Sequence, residues 1–86
     1  MTACRISPGA HWVVGRTSLT IVGEEGSART LGYPGAAVWD FISRGYPLSD
    51  VEALVAAVAA LDKPAAEALV RAAIAEWAAS GFIEQA

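Results

Sequence analysis

Leu31-Gly32-Tyr33-Pro34-Gly35-Ala36-Ala37-Val38-Trp39-Asp40-Phe41-Ile42-Ser43-Arg44-Gly45 is the stretch on which the reading of this 86-residue chain turns. It opens as the end of a strand, turns at Pro34-Gly35 and becomes a short helix that Gly45 stops. Val38, Phe41 and Ile42 recur at helical spacing, and Trp39 widens their stripe almost around the helix. A helix this apolar is expected at the centre of a core. Upstream the chain reads as short strands, and downstream every periodicity is helical. The stretch is the junction between a small sheet and a helical half.

Working upstream, Ala28-Arg29-Thr30-Leu31 reads as a strand with Arg29 and Leu31 on one face and Ala28 and Thr30 on the other. Gly23-Glu24-Glu25-Gly26-Ser27 is a turn, and Ser18-Leu19-Thr20-Ile21-Val22 before it alternates so that Leu19 and Ile21 share a buried face. Gly15-Arg16-Thr17 is a second turn, after a first strand His11-Trp12-Val13-Val14. Links this short predict an antiparallel meander. Residues 1–10 contain Pro8-Gly9 and no period; they read as a flexible lead-in to one domain over residues 11–86.

Working downstream, Tyr46-Pro47 bars continuation of the first helix. Ser49-Asp50-Val51-Glu52 has the form of a capping box. Val51, Leu54, Val55, Val58 and Leu61 then form one stripe of a second helix ending near Asp62-Lys63-Pro64. The third helix runs from about Pro64 to Ser80, with Gly81 as its stop. Leu69, Ala73, Ala66, Trp77, Val70 and Ile74 fall in one apolar arc of about 140° at 100° per residue. Ala65, Ala68, Ala72, Ala75 and Ala79 line a different face; such a seam lets a second backbone approach, and alanine is also simply the best helix former. Phe82 and Ile83 are expected to fold back into the core. The expected fold class is α+β, winged-helix-like: a three-stranded antiparallel β-meander followed by three α-helices.

With 55% hydrophobic and 17% charged residues, the chain reads as a folded globule rather than a disordered segment. One cysteine, Cys4, excludes an internal disulfide framework and fits a reducing compartment. The first residues lack the continuous apolar core of a secretory signal, and no run approaches the ~20 apolar residues of a membrane span. A cytoplasmic protein without membrane contact is expected. Arg5, Arg16, Arg29 and Arg44 against Glu24, Glu25 and Asp40 leave residues 1–45 at +1. Lys63 and Arg71 against Asp50, Glu52, Asp62, Glu67, Glu76 and Glu84 leave residues 46–86 at −4. An acidic helical half repels phosphate.

No catalytic constellation emerges. One His and one Cys cannot assemble a four-ligand zinc site. His11 reads as a packed or surface residue, Cys4 has only Arg5 beside it, and the carboxylates are scattered. Gly23 and Gly26 are followed by no Lys-Ser or Lys-Thr, so they form no phosphate loop. No enzyme, metal or cofactor is expected. A meander followed by helices is also the plan of winged-helix regulators that bind DNA or a protein partner. Reading DNA needs basic or amide side chains on a recognition helix. Val51–Leu61 offers no basic residue and the third helix only Arg71 between Glu67 and Glu76, so no nucleic-acid partner is expected.

Leu31, Ala36, Val38-Trp39, Gly45, Ser49 and Gly81-Phe82-Ile83 follow, in order and approximate spacing, a pattern that resembles the coenzyme PQQ synthesis protein D (PqqD) family. The likeness spans roughly residues 18–83; Gly32 stands where that family shows an asparagine. The resemblance implies a precursor-peptide recognition element. Such a module binds the leader of a ribosomally made precursor as a strand added to the edge of the third strand, in a groove closed by the third helix. It presents that leader to a modifying enzyme, often of the radical-SAM type, in natural-product or cofactor biosynthesis. Carried onto this chain, the edge is Ala28, Arg29, Thr30 and Leu31, and the wall comes from the third helix, Leu69, Val70, Ala73 and Ile74 or their neighbours, each of which reads first as a core residue. Free sheet edges and apolar pockets suit such capture. Self-association through that edge or the alanine seam is the further expectation.

Overall fold

The computed structural model describes residues 4–85. In chain order the elements are β1 (Cys4–Ile6), β2 (His11–Val14), β3 (Leu19–Val22), β4 (Ala28–Leu31), α1 (Gly35–Ser43), α2 (Leu48–Val58), α3 (Lys63–Ala79) and β5 (Ile83–Gln85). β2, β3 and β4 form the expected antiparallel meander with β3 in the middle, and three helices follow it. The register pairs Leu19 with Leu31 and Ile21 with Arg29 across β3–β4, and Ile21 with Trp12 across β2–β3. Paired residues share a face, so Trp12, Ile21, Leu19, Arg29 and Leu31 all lie on the side that carries the helices. That alternation drives the packing. Leu19 and Ile21 are buried, whereas Thr20 and Thr30 meet through their hydroxyls at 3.0 Å on the other face.

A second, two-stranded sheet was not anticipated. Cys4, Arg5 and Ile6 pair antiparallel with Gln85, Glu84 and Ile83, and Arg5 reaches Glu84 at 3.4 Å. Residues 4–6 of the expected lead-in are thus held by the far end of the chain; residues 1–3 lie outside the described residues. Ser7 extends the link by donating its backbone N–H to the carbonyl of Phe82 at 3.0 Å. Phe82 and Ile83 do turn back into the core, as their composition predicts.

The core unites Leu19 and Ile21 with Val38, Trp39 and Ile42 of α1, Val51 and Val55 of α2, and Val70, Ile74 and Trp77 of α3. Trp39 is its centre. Its ring meets Trp12 edge-to-face at 5.7 Å on one side and Trp77 at 5.2 Å on the other. Sheet, first helix and last helix are therefore joined through one aromatic column. Full burial of a large apolar side chain contributes about 1.5–3 kcal/mol, so this column carries much of a small domain's stability. Among the described residues no helix is long and apolar enough to cross a membrane.

The helix ends correct two expectations. Ser49 is not an N-cap: Pro47, extended at φ −61° and ψ 154°, delivers the chain into α2 two residues earlier, so Ser49 lies inside the first turn. Glu52 instead extends toward Arg71. The side-chain cap belongs to α3, where Asp62 accepts from the N–H of Ala65 at 2.9 Å. α2 also stops at Val58 rather than Leu61, which leaves Val58 half exposed. All three helices close alike, with Tyr46, Leu61 and Phe82 donating back to the carbonyls of Phe41, Ala56 and Trp77. This is the six-to-one bond of a left-handed helix end. Gly45 and Gly81 supply the required positive φ at two of these ends, and Ala60 at φ 54° supplies the third.

Candidate functional site

β4 is an edge strand, and its outer backbone groups have no neighbouring strand in the sheet order. Arg29 and Leu31 lean from it to the helix side, while Ala28 and Thr30 lean away and are exposed. α3 stands beside that edge. Val70, Ile74 and Trp77 anchor the helix in the core, and the ion pair between Arg29 on the strand and Glu76 on the helix ties its flank to β4. Ala73 and Leu69 lie one and two turns before Glu76 on the same side of α3, half-buried and packed against the core from its margin. Leu31 is likewise a half-buried margin residue. The space between β4 and this flank of α3 is the candidate trough: the unpaired edge of β4 on one side, the flank carrying Leu69 and Ala73 on the other, with Leu31 at its margin. A charged pair, Arg29–Glu76, crosses it.

The eight residues singled out from the sequence separate into two groups. Ala28, Arg29, Thr30 and Leu31 form the edge strand β4, with Arg29 and Leu31 on the helix side, and Leu69 and Ala73 are half-buried on the flank of α3 that Glu76 ties to Arg29. Val70 and Ile74 stand apart. They are 0% and 4% exposed, inside the core, and support the wall from behind. Glu76 belongs with the first group and was missed, because an acidic residue on a helix flank ordinarily reads as solvated surface. The signal for it was Arg29. A cation on the inward face of a strand needs a carboxylate, and Glu76 is the acid of α3 in line with Leu69 and Ala73. The alanine seam is exposed along its whole length and flanks this same side of α3.

The opposite edge differs. All four residues of β2 are exposed. An open cleft of ≈ 430 Å³ lies between the β2–β3 turn and α1, lined by Val14, Arg16, Leu19, Tyr33, Ala36 and Asp40 among others. Tyr33 spans from there to α2, donating its hydroxyl to the carbonyl of Val58 at 2.5 Å. On the α2–α3 face Arg71 sits between Glu52 and Glu67 at 3.9 and 3.7 Å. Its charge is engaged by two carboxylates, which leaves that face with little to offer a phosphate backbone. No group of His, Cys, Asp and Glu capable of holding a metal occurs among the described residues.

No protein-family model matches the chain, and no curated protein matches it in sequence. A solved structure does match in shape: TbiB1, in complex with the TbiA(beta) leader peptide, at a TM-score of 0.88 and 17% sequence identity. The correspondence covers 93% of this chain and 94% of that one, so it takes in the meander and the three helices. At that identity what the two proteins share is the fold.

Proposed function

We propose that this chain is a non-catalytic recognition module. It binds the leader of a ribosomally synthesised precursor peptide as an added strand on β4 and presents it to a modifying enzyme, of the radical-SAM type, in natural-product or cofactor biosynthesis in the cytoplasm. The observation that carries the reading is the trough. What supports the reading is that β4 is an edge strand, that Leu69 and Ala73 are half-buried on the flank of α3, and that Arg29 and Glu76 link the two. An added strand gains main-chain hydrogen bonds from the edge, and its alternate side chains gain burial against the wall. The reading is further supported by the fold, which is shared with TbiB1, a protein solved in complex with a leader peptide. The residues suited to docking are Ala28, Arg29, Thr30, Leu31, Leu69 and Ala73, with Val70 and Ile74 as their support.

The test is a titration of the ¹⁵N-labelled chain with synthetic leader segments of ribosomally made precursor peptides. We expect a Kd of about 10 nM to 10 μM, with amide shifts concentrated on Ala28–Leu31 and on α3 from Leu69 to Glu76. Shifts confined to β2 or to the α2–α3 face would refute the assigned trough.

A further inference from the structure

We infer that Arg29 selects the charge of the docked segment, and that this segment carries an aspartate or glutamate at the inward position beside Arg29. The inference rests on the reading of β4 as a docking edge and adds to it the chemistry of one residue of the partner.

Arg29 faces the helix side of the sheet, as its pairing with the buried Ile21 requires. It is the charged residue of β4. A strand laid along β4 places an inward side chain next to it, at the ~5 Å spacing of cross-strand neighbours. Docking therefore removes water from the guanidinium. Glu76 occupies at most two of its five N–H donors, and the rest, no longer solvated, need acceptors. The added strand is the nearest source, and a carboxylate is the acceptor that forms the strongest such bond. The side chains are unequal in a way that sets the sign. Glu76, 53% exposed on the helix, keeps its contact with solvent, whereas Arg29, 40% exposed on the strand, is the one that docking covers. A lysine or arginine in the segment would lie against Arg29 before it reached Glu76. The molecule already shows one arginine serving two carboxylates, in Arg71 between Glu52 and Glu67.

A display library of random 12-residue peptides, selected on the full chain, reads this directly. Selected peptides that shift Ala28–Leu31 in NMR spectra are expected to hold Asp or Glu at one fixed position between apolar residues. Changing it to Asn or Gln should weaken binding about tenfold. The double variant Arg29→Glu/Glu76→Arg keeps the pair with its sense reversed. On it the same library should enrich Lys or Arg at that position, and a circular-dichroism melt checks that it is folded. Peptides that dock on Ala28–Leu31 with no acidic preference would overturn the inference and leave the docking reading intact. A library that yields no peptide shifting Ala28–Leu31 would overturn both.

Discussion

The two free edges of the meander, β2 and β4, are equally short and equally open to pairing, yet they are built for different ends. β2 is His11-Trp12-Val13-Val14, without a charge, and Val13 and Val14 stand 68% and 70% exposed. β4 carries Arg29 and is walled by α3. An edge alone offers only ladder hydrogen bonds, each worth a net ~1 kcal/mol after exchange with water. A wall beside it lets every second side chain of an added strand gain burial as well. On the proposed reading, α3 rather than the unpaired edge is what would make β4 the selective site. β2 has a structural task instead: Trp12 closes the aromatic column over Trp39.

That division of labour makes Trp12→Ala the most damaging of the informative substitutions. Trp12 is 37% exposed, so its loss falls short of the 3–5 kcal/mol of a fully buried tryptophan. We expect about 2–3 kcal/mol off the unfolding free energy in urea, part of it the edge-to-face contact. Peptide affinity, measured where the variant is folded, should be unchanged. A loss of affinity at intact stability would break the comparison, because it would put β2 in the binding site.

A matched pair then tests the walls. Leu69→Gln keeps helix propensity but turns an amide toward the trough, whereas Val14→Gln does the same to the open cleft beside β2. Facing an apolar strand side chain, the amide should cost about 1–2 kcal/mol, or roughly 5- to 30-fold in Kd. Val14→Gln should leave Kd within twofold. Equal losses from both, read by calorimetric titration, would mean that the peptide does not distinguish the two edges.

Much of this arrangement is legible from residues alone. Period-two alternation placed Arg29 and Leu31 on one face, which the structure turns to the helices, and the Val38–Ile42 cluster marked α1 as the central helix. Other features were hidden for physical reasons. β1 and β5 are three residues each and meet only through the ends of the chain, so neither carries a period or a nearby turn. The apolar arc of α3 holds both core and margin residues, and composition cannot say that Val70 faces inward while Leu69 faces the trough. The capping-box pattern at Ser49 lost to Pro47, whose fixed φ sets where α2 begins. At the trough, the strand residues could be read off, but Glu76 required knowing that α3 runs beside β4.

The smallest effects test the joint that holds the wall in place, Ala59 to Asp62. Removing the cap with Asp62→Ala should lower stability by about 1 kcal/mol. Ser49→Ala, where no side-chain cap bond exists, should stay within about 0.5 kcal/mol of wild type. Ala60→Gly should act in the opposite direction. Among the described residues Ala60 is the one non-glycine at positive φ, and its β-carbon there costs about 1 kcal/mol that Gly45 and Gly81 avoid at the other two helix ends. The glycine also loosens the unfolded chain, which offsets part of the gain. The net expectation is a rise of about 0.5 kcal/mol in a urea midpoint series, with peptide affinity unmoved, because a joint that only sets the wall changes how firmly α3 stands and not what it presents. A change in affinity without a change in stability would show that the joint positions Leu69 and Ala73 for binding, and would extend the selective surface of β4 beyond the trough itself.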